Sequence, residues 1–115
     1  MKGITALVLT LNEEDNITEC LKTLAWADKV LVLDSGSTDR TVEIAQSLGA
    51  EVFFHPFKNY ADQRNYALSL VQTEWVLFVD ADERVPPELA AEVREAAEEE
   101  GFSGWWIPRK NYICG

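Results

Sequence analysis

Two patterns of apolar residues alternate along the chain. Residues 4–9, 30–33, 52–54 and 75–79 are short and apolar almost throughout, as strands are when both faces of their sheet are covered. The stretches between them carry helical stripes. Ile17, Cys20, Leu21 and Leu24 fall at i, i+3, i+4 and i+7, which sets them on one helix face. Val42, Ala45 and Leu48 form a second stripe; Asp39 stands where an N-cap is wanted, and Gly49 stops the helix as a C′ residue. A third helix is predicted over 60–71, with Tyr60, Arg64, Ala67, Leu68 and Val71 on its inward stripe. Pro86-Pro87 opens a fourth, in which Leu89, Val93, Ala96 and Ala97 face the core. The acidic run 98–100 opposes the negative end of that helix and reads as a frayed turn before Gly101. Trp105-Trp106-Ile107 reads as a fifth strand, whose adjacent tryptophans point to opposite faces, one into the core and one to an edge or a stacking platform.

Strands and helices alternating at this spacing predict βαβ units, hence an α/β fold: a doubly wound, mainly parallel, Rossmann-like sheet with helices on both faces. The 115 residues suffice for one core, so 1–115 is read as a single domain. The chain stops in the apolar and aromatic segment 111–115 without a terminating signal, which predicts that it is the N-terminal part of a longer protein.

Composition narrows the function. With 20 Asp+Glu against 10 Lys+Arg, the formal net charge is −10, which argues against nucleic acid as a partner. No apolar run reaches the ~18 residues of a membrane span. Cys20 and Cys114 lie far apart without metal spacing and read as reduced thiols of a cytosolic protein rather than a disulfide.

In an open parallel sheet, ligands bind beyond the carboxyl ends of the strands, near the point where strand order reverses. The polar residues that follow the strands are therefore the candidates. Thr10-Leu11-Asn12-Glu13 follows the first strand, Asp34-Ser35-Gly36-Ser37-Thr38-Asp39 the second, and Asp80-Ala81-Asp82-Glu83 the fourth. Three strands thus deliver carboxylates to one rim, where they repel one another unless a cation sits among them. Asp80 and Asp82 point the same way if the chain stays extended, and two such oxygens suit Mg²⁺ or Mn²⁺, whose shell waters and substrate phosphates complete. The same residues also suit a solvated turn, with Asp82 as a cap. Asp34 ends an apolar strand where no cap is needed, so it is free to accept from a nucleobase N–H or a ribose hydroxyl, whereas Asp39 reads as structural. Glu13 fits a helix cap and a ligand contact equally well. Arg64, at the edge of its stripe, can pair with a diphosphate or with the acidic rim.

Other chemistries find no support. Gly-x-Gly-x-x-Gly after the first strand and a Gly-Lys-Ser/Thr loop are both absent, and His55 is the sole histidine, with no nucleophile elbow. A receiver-type Mg²⁺-binding signalling domain would need an Asp after the third strand, where Phe54-His55-Pro56 stands.

Taken together, Thr10-Leu11-Asn12-Glu13-Glu14, residues 32–41, Gln63-Arg64-Asn65 and Phe78-Val79-Asp80-Ala81-Asp82-Glu83 resemble the family 2 glycosyltransferases of GT-A fold. The likeness is closest to lipopolysaccharide-core β-glucosyltransferases, which carry a similar Trp-Ala-Asp, here Trp26-Ala27-Asp28. The resemblance implies an inverting transfer of a sugar from a nucleotide-diphosphate sugar to a hydroxyl of a saccharide or lipid-linked, lipopolysaccharide-type acceptor. It implies that Thr10 and Glu13 hold the nucleoside, Asp34 the base, and Arg64 the base or phosphates. Asp80 then touches ribose or metal, and Asp82, closing the DxD motif, binds the Mg²⁺ or Mn²⁺. The family's general base lies downstream of that motif. Nothing after Asp82 matches it, so the catalytic base is expected beyond Gly115 and the chain is expected to bind donor weakly without turnover. A non-catalytic nucleotide-binding module is the alternative. Such acceptors are made at the cytoplasmic face, which implies a cytoplasmic location with peripheral membrane association, although no basic amphipathic helix supports contact with lipid.

Overall fold

The computed structural model describes residues 3–98, 104–107 and 112–114. Expectations for the side chains of Ala96, Ala97, Trp105, Trp106 and Cys114, and for the turn at 99–101, lie outside the described residues. The apolar runs form strands β1 (Ile4–Thr10), β2 (Lys29–Asp34), β3 (Glu51–Phe54) and β4 (Trp75–Asp80). Between and after them lie α1 (Ile17–Lys22), α2 (Thr41–Ser47), α3 (Tyr60–Leu70) and α4 (Pro87–Glu98), followed by β5 (Gly104–Ile107) and β6 (Tyr112–Cys114).

The sheet order is β3-β2-β1-β4-β5-β6. All neighbours run parallel except β5 with β6, so the doubly wound, mainly parallel expectation holds. Because β1 and β4 are apolar on both faces, alternate residues feed two cores. Ile4, Ala6, Val8, Trp75, Leu77 and Val79 meet α1, α2 and α4 on one side. Leu7, Val76 and Phe78 join Leu31, Leu33 and Ala67 of α3 on the other. Strand order reverses between β1 and β4: the chain winds outward to β3, then α3 carries it back across the opposite face. The two strands diverge into separate loops at that point, leaving a crevice beyond their carboxyl ends.

The α1 stripe is buried as predicted, with Leu24 just past the helix end. Two other stripes differ. In α2, Leu48 is exposed, while Thr41 and Ala45 are buried; the helix packs near the sheet edge and its last turn overhangs it. In α3 the buried face is rotated toward Gln63 and Ala67, leaving Tyr60 and Leu68 exposed. Tyr60 opens the helix beyond the strand ends, where there is no sheet to cover it. Asp39 lies one residue ahead of the N-cap, Arg40, yet its carboxylate still accepts from the Thr41 N–H. Gly49 ends α2 at φ 90, a conformation that costs glycine nothing.

Candidate functional site

The loops at the reversal point are locked to one another before any ligand arrives. Strand register sets Thr10 beside Asp34, and Thr10 Oγ1 donates to Asp34 Oδ1 at 2.7 Å. The same oxygen accepts from Ser37 Oγ at 2.6 Å. Oδ2 accepts from the N–H groups of Gly36 and Ser37 at 2.9 and 2.7 Å; Gly36 reaches that position at φ 120. Asp34 is 3% exposed. Burial works against its charge, but the bonds from Ser37, Thr10 and Gly36 outweigh it and hold its carboxyl below the usual carboxylate range.

Asn12 clasps the first two loops. Its N–H donates to Ser37 Oγ and its Oδ1 accepts from the Thr38 N–H, both at 2.8 Å. Asn12 holds φ 55, which asparagine tolerates better than most residues. Asn12→Ala removes the side-chain half of the clasp and puts a poorly suited residue at positive φ, so it should destabilise by about 2 kcal/mol in urea unfolding. Asn12→Gly should cost about half as much, because glycine accepts that φ freely.

The third loop is a tight turn. The Glu83 N–H donates to the Asp80 carbonyl at 2.9 Å, and the Asp80 N–H donates back to Glu83 Oε1 at 3.0 Å. The chain therefore turns at Asp80 instead of running extended, which corrects the basis on which Asp80 and Asp82 were paired. Both remain exposed at the same crevice. Beneath them Cys20 Sγ donates to the Asp80 carbonyl at 3.7 Å. Burial pushes that thiol up to about 12; Arg84 opposes the shift, and Glu83, Asp82 and Glu13 add to it. Cys20 thus stays protonated and serves packing.

The crevice is a cavity of about 650 Å³. Thr10, Leu11 and Glu13 line it from the end of β1, Ser35 from β2, Gln63 and Arg64 from α3, and Asp80, Asp82 and Glu83 from β4. Five of the six expected site residues, Thr10, Glu13, Arg64, Asp80 and Asp82, therefore share one cavity. Asp34 is not among its lining residues; its oxygens serve Thr10 and the 35–37 loop, and Ser35 is the lining residue from that loop. Glu13 Oε1 accepts from the Asn16 side-chain Nδ2, a bond that caps no backbone N–H of α1, and the residue also lines the cavity. The Arg64 guanidinium sits 5.6 Å from the centre of the Phe78 ring, a cation–π contact between two residues of the cavity wall. Gln63 and Glu83, which the sequence places in the segments around Arg64 and Asp80 without a role of their own, are also wall residues. Gln63 is 1% exposed; its place at i−4 from Ala67 and i−7 from Leu70 was the available signal.

Among the described residues, no group of three or more His, Cys, Asp or Glu side chains converges to hold a metal ion by itself. Asp80 and Asp82 offer oxygen donors alone, the set a hard divalent ion takes, and they leave most of its shell to water and phosphate. These residues fit such an ion bound together with a diphosphate. Among the described residues, no helix is long and apolar enough to cross a membrane.

The sequence profile of the Glycosyl transferase family 2 matches residues 5–114. The chain belongs to this family. Among curated relatives, it is 32% identical over 120 residues to the lipopolysaccharide core biosynthesis glycosyltransferase LpsC of Rhizobium meliloti, a match covering 97% of this chain and 44% of LpsC. Among solved structures, S. aureus TarS 1-349 in complex with UDP-GlcNAc superposes with a TM-score of 0.67 at 30% identity, over 81% of this chain and 30% of that one. Glucosyl-3-phosphoglycerate synthase of Mycobacterium tuberculosis, in complex with Mn²⁺, UDP-glucose and glycerol 3-phosphate, superposes with a TM-score of 0.65 at 25% identity, over 72% of this chain and 36% of that one. The chain spans about a third of the length of the first curated relatives it matches. Family 2 membership gives the crevice its context: Thr10, Glu13, Ser35, Gln63, Arg64, Asp80, Asp82 and Glu83 come from four separate segments and line one cavity.

Proposed function

We propose that this chain is the donor-binding part of an inverting, metal-dependent glycosyltransferase that moves a sugar from a UDP-sugar to a hydroxyl of a saccharide or lipid-linked acceptor. The observation that carries the reading is the meeting of Thr10, Glu13, Arg64, Asp80 and Asp82, from separate elements, in one cavity at the strand-order reversal. UDP-sugars bound in the two structural neighbours support the donor. The name of LpsC supports a lipopolysaccharide-type acceptor, and with it work at the cytoplasmic face of a membrane. Mn²⁺ in the mycobacterial neighbour supports Mn²⁺ or Mg²⁺ at Asp80 and Asp82.

Each residue then has a physical task. Thr10 and Glu13 border the nucleoside from the end of β1. Asp34 shapes the base side by pinning the loop from Ser35 to Ser37. Arg64 pairs with the diphosphate, bringing positive charge into a rim of four carboxylates, Glu13, Asp80, Asp82 and Glu83. Asp80 and Asp82 hold the metal, which when bound neutralises charge that develops on the leaving diphosphate. Among the described residues, Glu83 is the one carboxylate beyond Asp82 that lines the cavity, and its Oε1 is engaged by the Asp80 N–H. The chain spans about a third of the length of its first relatives, and the base that deprotonates the acceptor is proposed to lie in the remainder.

Calorimetry tests the reading. UDP-glucose should bind with Kd on the order of 100 μM in Mn²⁺ and about tenfold more weakly in EDTA. The same 115 residues should release no free UDP from the donor in the presence of acceptor. Absence of binding in Mn²⁺ would remove the donor assignment, and sugar transfer by the chain alone would remove the division of labour.

A further inference from the structure

The acidic side of the cavity comes from two loops, Glu13 ahead of α1 and the Asp80–Glu83 turn after β4. Arg84, exposed and not itself one of the lining residues, ties these loops together. Its Nη1 donates to the Ala81 carbonyl at 3.3 Å and to the Glu83 carbonyl at 3.0 Å, one before Asp82 and one after it. Its Nη2 donates to Asn16 Oδ1 at 3.4 Å, and Asn16 Nδ2 donates to Glu13 Oε1 at 3.2 Å. A guanidinium can only donate and a carboxylate can only accept, so the Asn16 amide has one orientation between them. The backbone beside Arg84 is anchored as well. Val85 is 3% exposed, and its N–H donates to Thr23 Oγ1 at 3.1 Å.

An exposed arginine with a single partner contributes little, because water and salt screen its charge. This one spans three oxygens on two loops. Those loops carry carboxylates that repel one another while no ion sits between them. A brace across both loops keeps them from drifting apart, and a metal site loses affinity when the groups that hold its ligands are removed. We propose that Arg84 is a positioning residue for the divalent ion: it braces the Asp80–Glu83 turn against the Glu13 loop and acts through Asp82. This inference rests on the metal-dependent donor reading above and adds the side chain that sets the spacing of the acidic rim.

The test is calorimetry of UDP in Mn²⁺ and in EDTA, comparing wild type with Arg84→Lys. Lysine keeps the positive charge but lacks the planar fork that reaches both carbonyls and Asn16. Arg84→Lys should weaken UDP about tenfold in Mn²⁺ and leave it unchanged in EDTA. In an Asp82→Ala background the same substitution should weaken UDP in Mn²⁺ less than twofold, because two changes that act through one ligand are not additive. Three results overturn the inference. Wild-type affinity of Arg84→Lys in Mn²⁺ would show that charge suffices without the brace. A parallel loss in Mn²⁺ and EDTA would mark general loosening of the fold. Full additivity with Asp82→Ala would separate Arg84 from that ligand. If Arg84→Lys does not fold, Asn16→Ala decides, since it cuts the link to Glu13: a several-fold loss confined to Mn²⁺ is expected, and unchanged binding is contrary to the inference. Wild type that binds UDP equally in the two media overturns the metal reading itself, and the inference with it.

Discussion

Asp34→Ala is expected to destabilise the fold by about 3 kcal/mol, on the order of a 15 °C fall in Tm for a domain of this size. The carboxylate is 3% exposed and takes four hydrogen bonds. Alanine strands the N–H groups of Gly36 and Ser37, together with the buried Thr10 hydroxyl. Asp34→Asn should cost about half as much. At the Oδ2 position both partners are N–H groups, so the asparagine oxygen must sit there. At the Oδ1 position both partners are hydroxyls, which can rotate and accept from the amide. The pH dependence follows the sign of the shift. A carboxyl held below its unfolded value stabilises above that value, roughly pH 4, and the contribution disappears as pH falls through the folded value. Asp28 acts in the same direction, held down chiefly by the Ile4 N–H with help from Arg94. Asp34→Asn should therefore unfold over a shallower acid limb than wild type in urea titrations below pH 4. An equally steep limb would mean that Asp34 is not the group that titrates.

Much of this geometry was legible because one physical rule dominated. Strands buried on both faces must be apolar throughout, so β1, β2 and β4 announce themselves, and polar residues at their ends must belong to loops. The arrival of Thr10, Asp80 and Asp82 at one rim then follows from topology. The misread positions are those where apolar character and burial part company. Tyr60 and Leu68 looked inward because they are apolar, yet they lie beyond or beside the sheet that would cover them. Gln63 is polar and lies off the predicted apolar stripe, yet its amide is held inside by the His55 carbonyl and Ser35. Asp34 was recognised as unusual for a strand end, but periodicity cannot tell a carboxylate that waits for a ligand from one already filled by its own loop. The Asp80–Glu83 turn was one of two readings that the string allowed: two reciprocal bonds close it, and Asp-Ala-Asp-Glu by itself does not decide between a turn and an extended end.

Asp82→Ala should change donor binding in opposite directions with and without metal. The cavity gathers Glu13, Asp80, Asp82 and Glu83 near a single lining cation, Arg64, among the described residues. A diphosphate entering without metal meets net negative charge; at an effective dielectric constant near 20, each close carboxylate costs on the order of 1 kcal/mol or more. Removing Asp82 relieves part of that repulsion, so UDP in EDTA should bind Asp82→Ala up to a few fold better than wild type. In Mn²⁺ the same substitution deletes one of the two carboxylates proposed to hold the ion, and UDP binding should fall by at least tenfold. Asp82→Asn keeps an oxygen donor without its charge and should fall between the two in Mn²⁺. Arg64→Ala should behave differently again, weakening UDP in both media, because the pairing proposed for it with the diphosphate does not depend on an ion. The crossing of the Asp82 curves is the discriminating feature. A general loss of structure weakens binding in EDTA and Mn²⁺ alike, and an Asp82 that merely caps its turn leaves the ratio between the two media unchanged. Only a carboxylate that repels the diphosphate alone and recruits a cation in its company reverses sign.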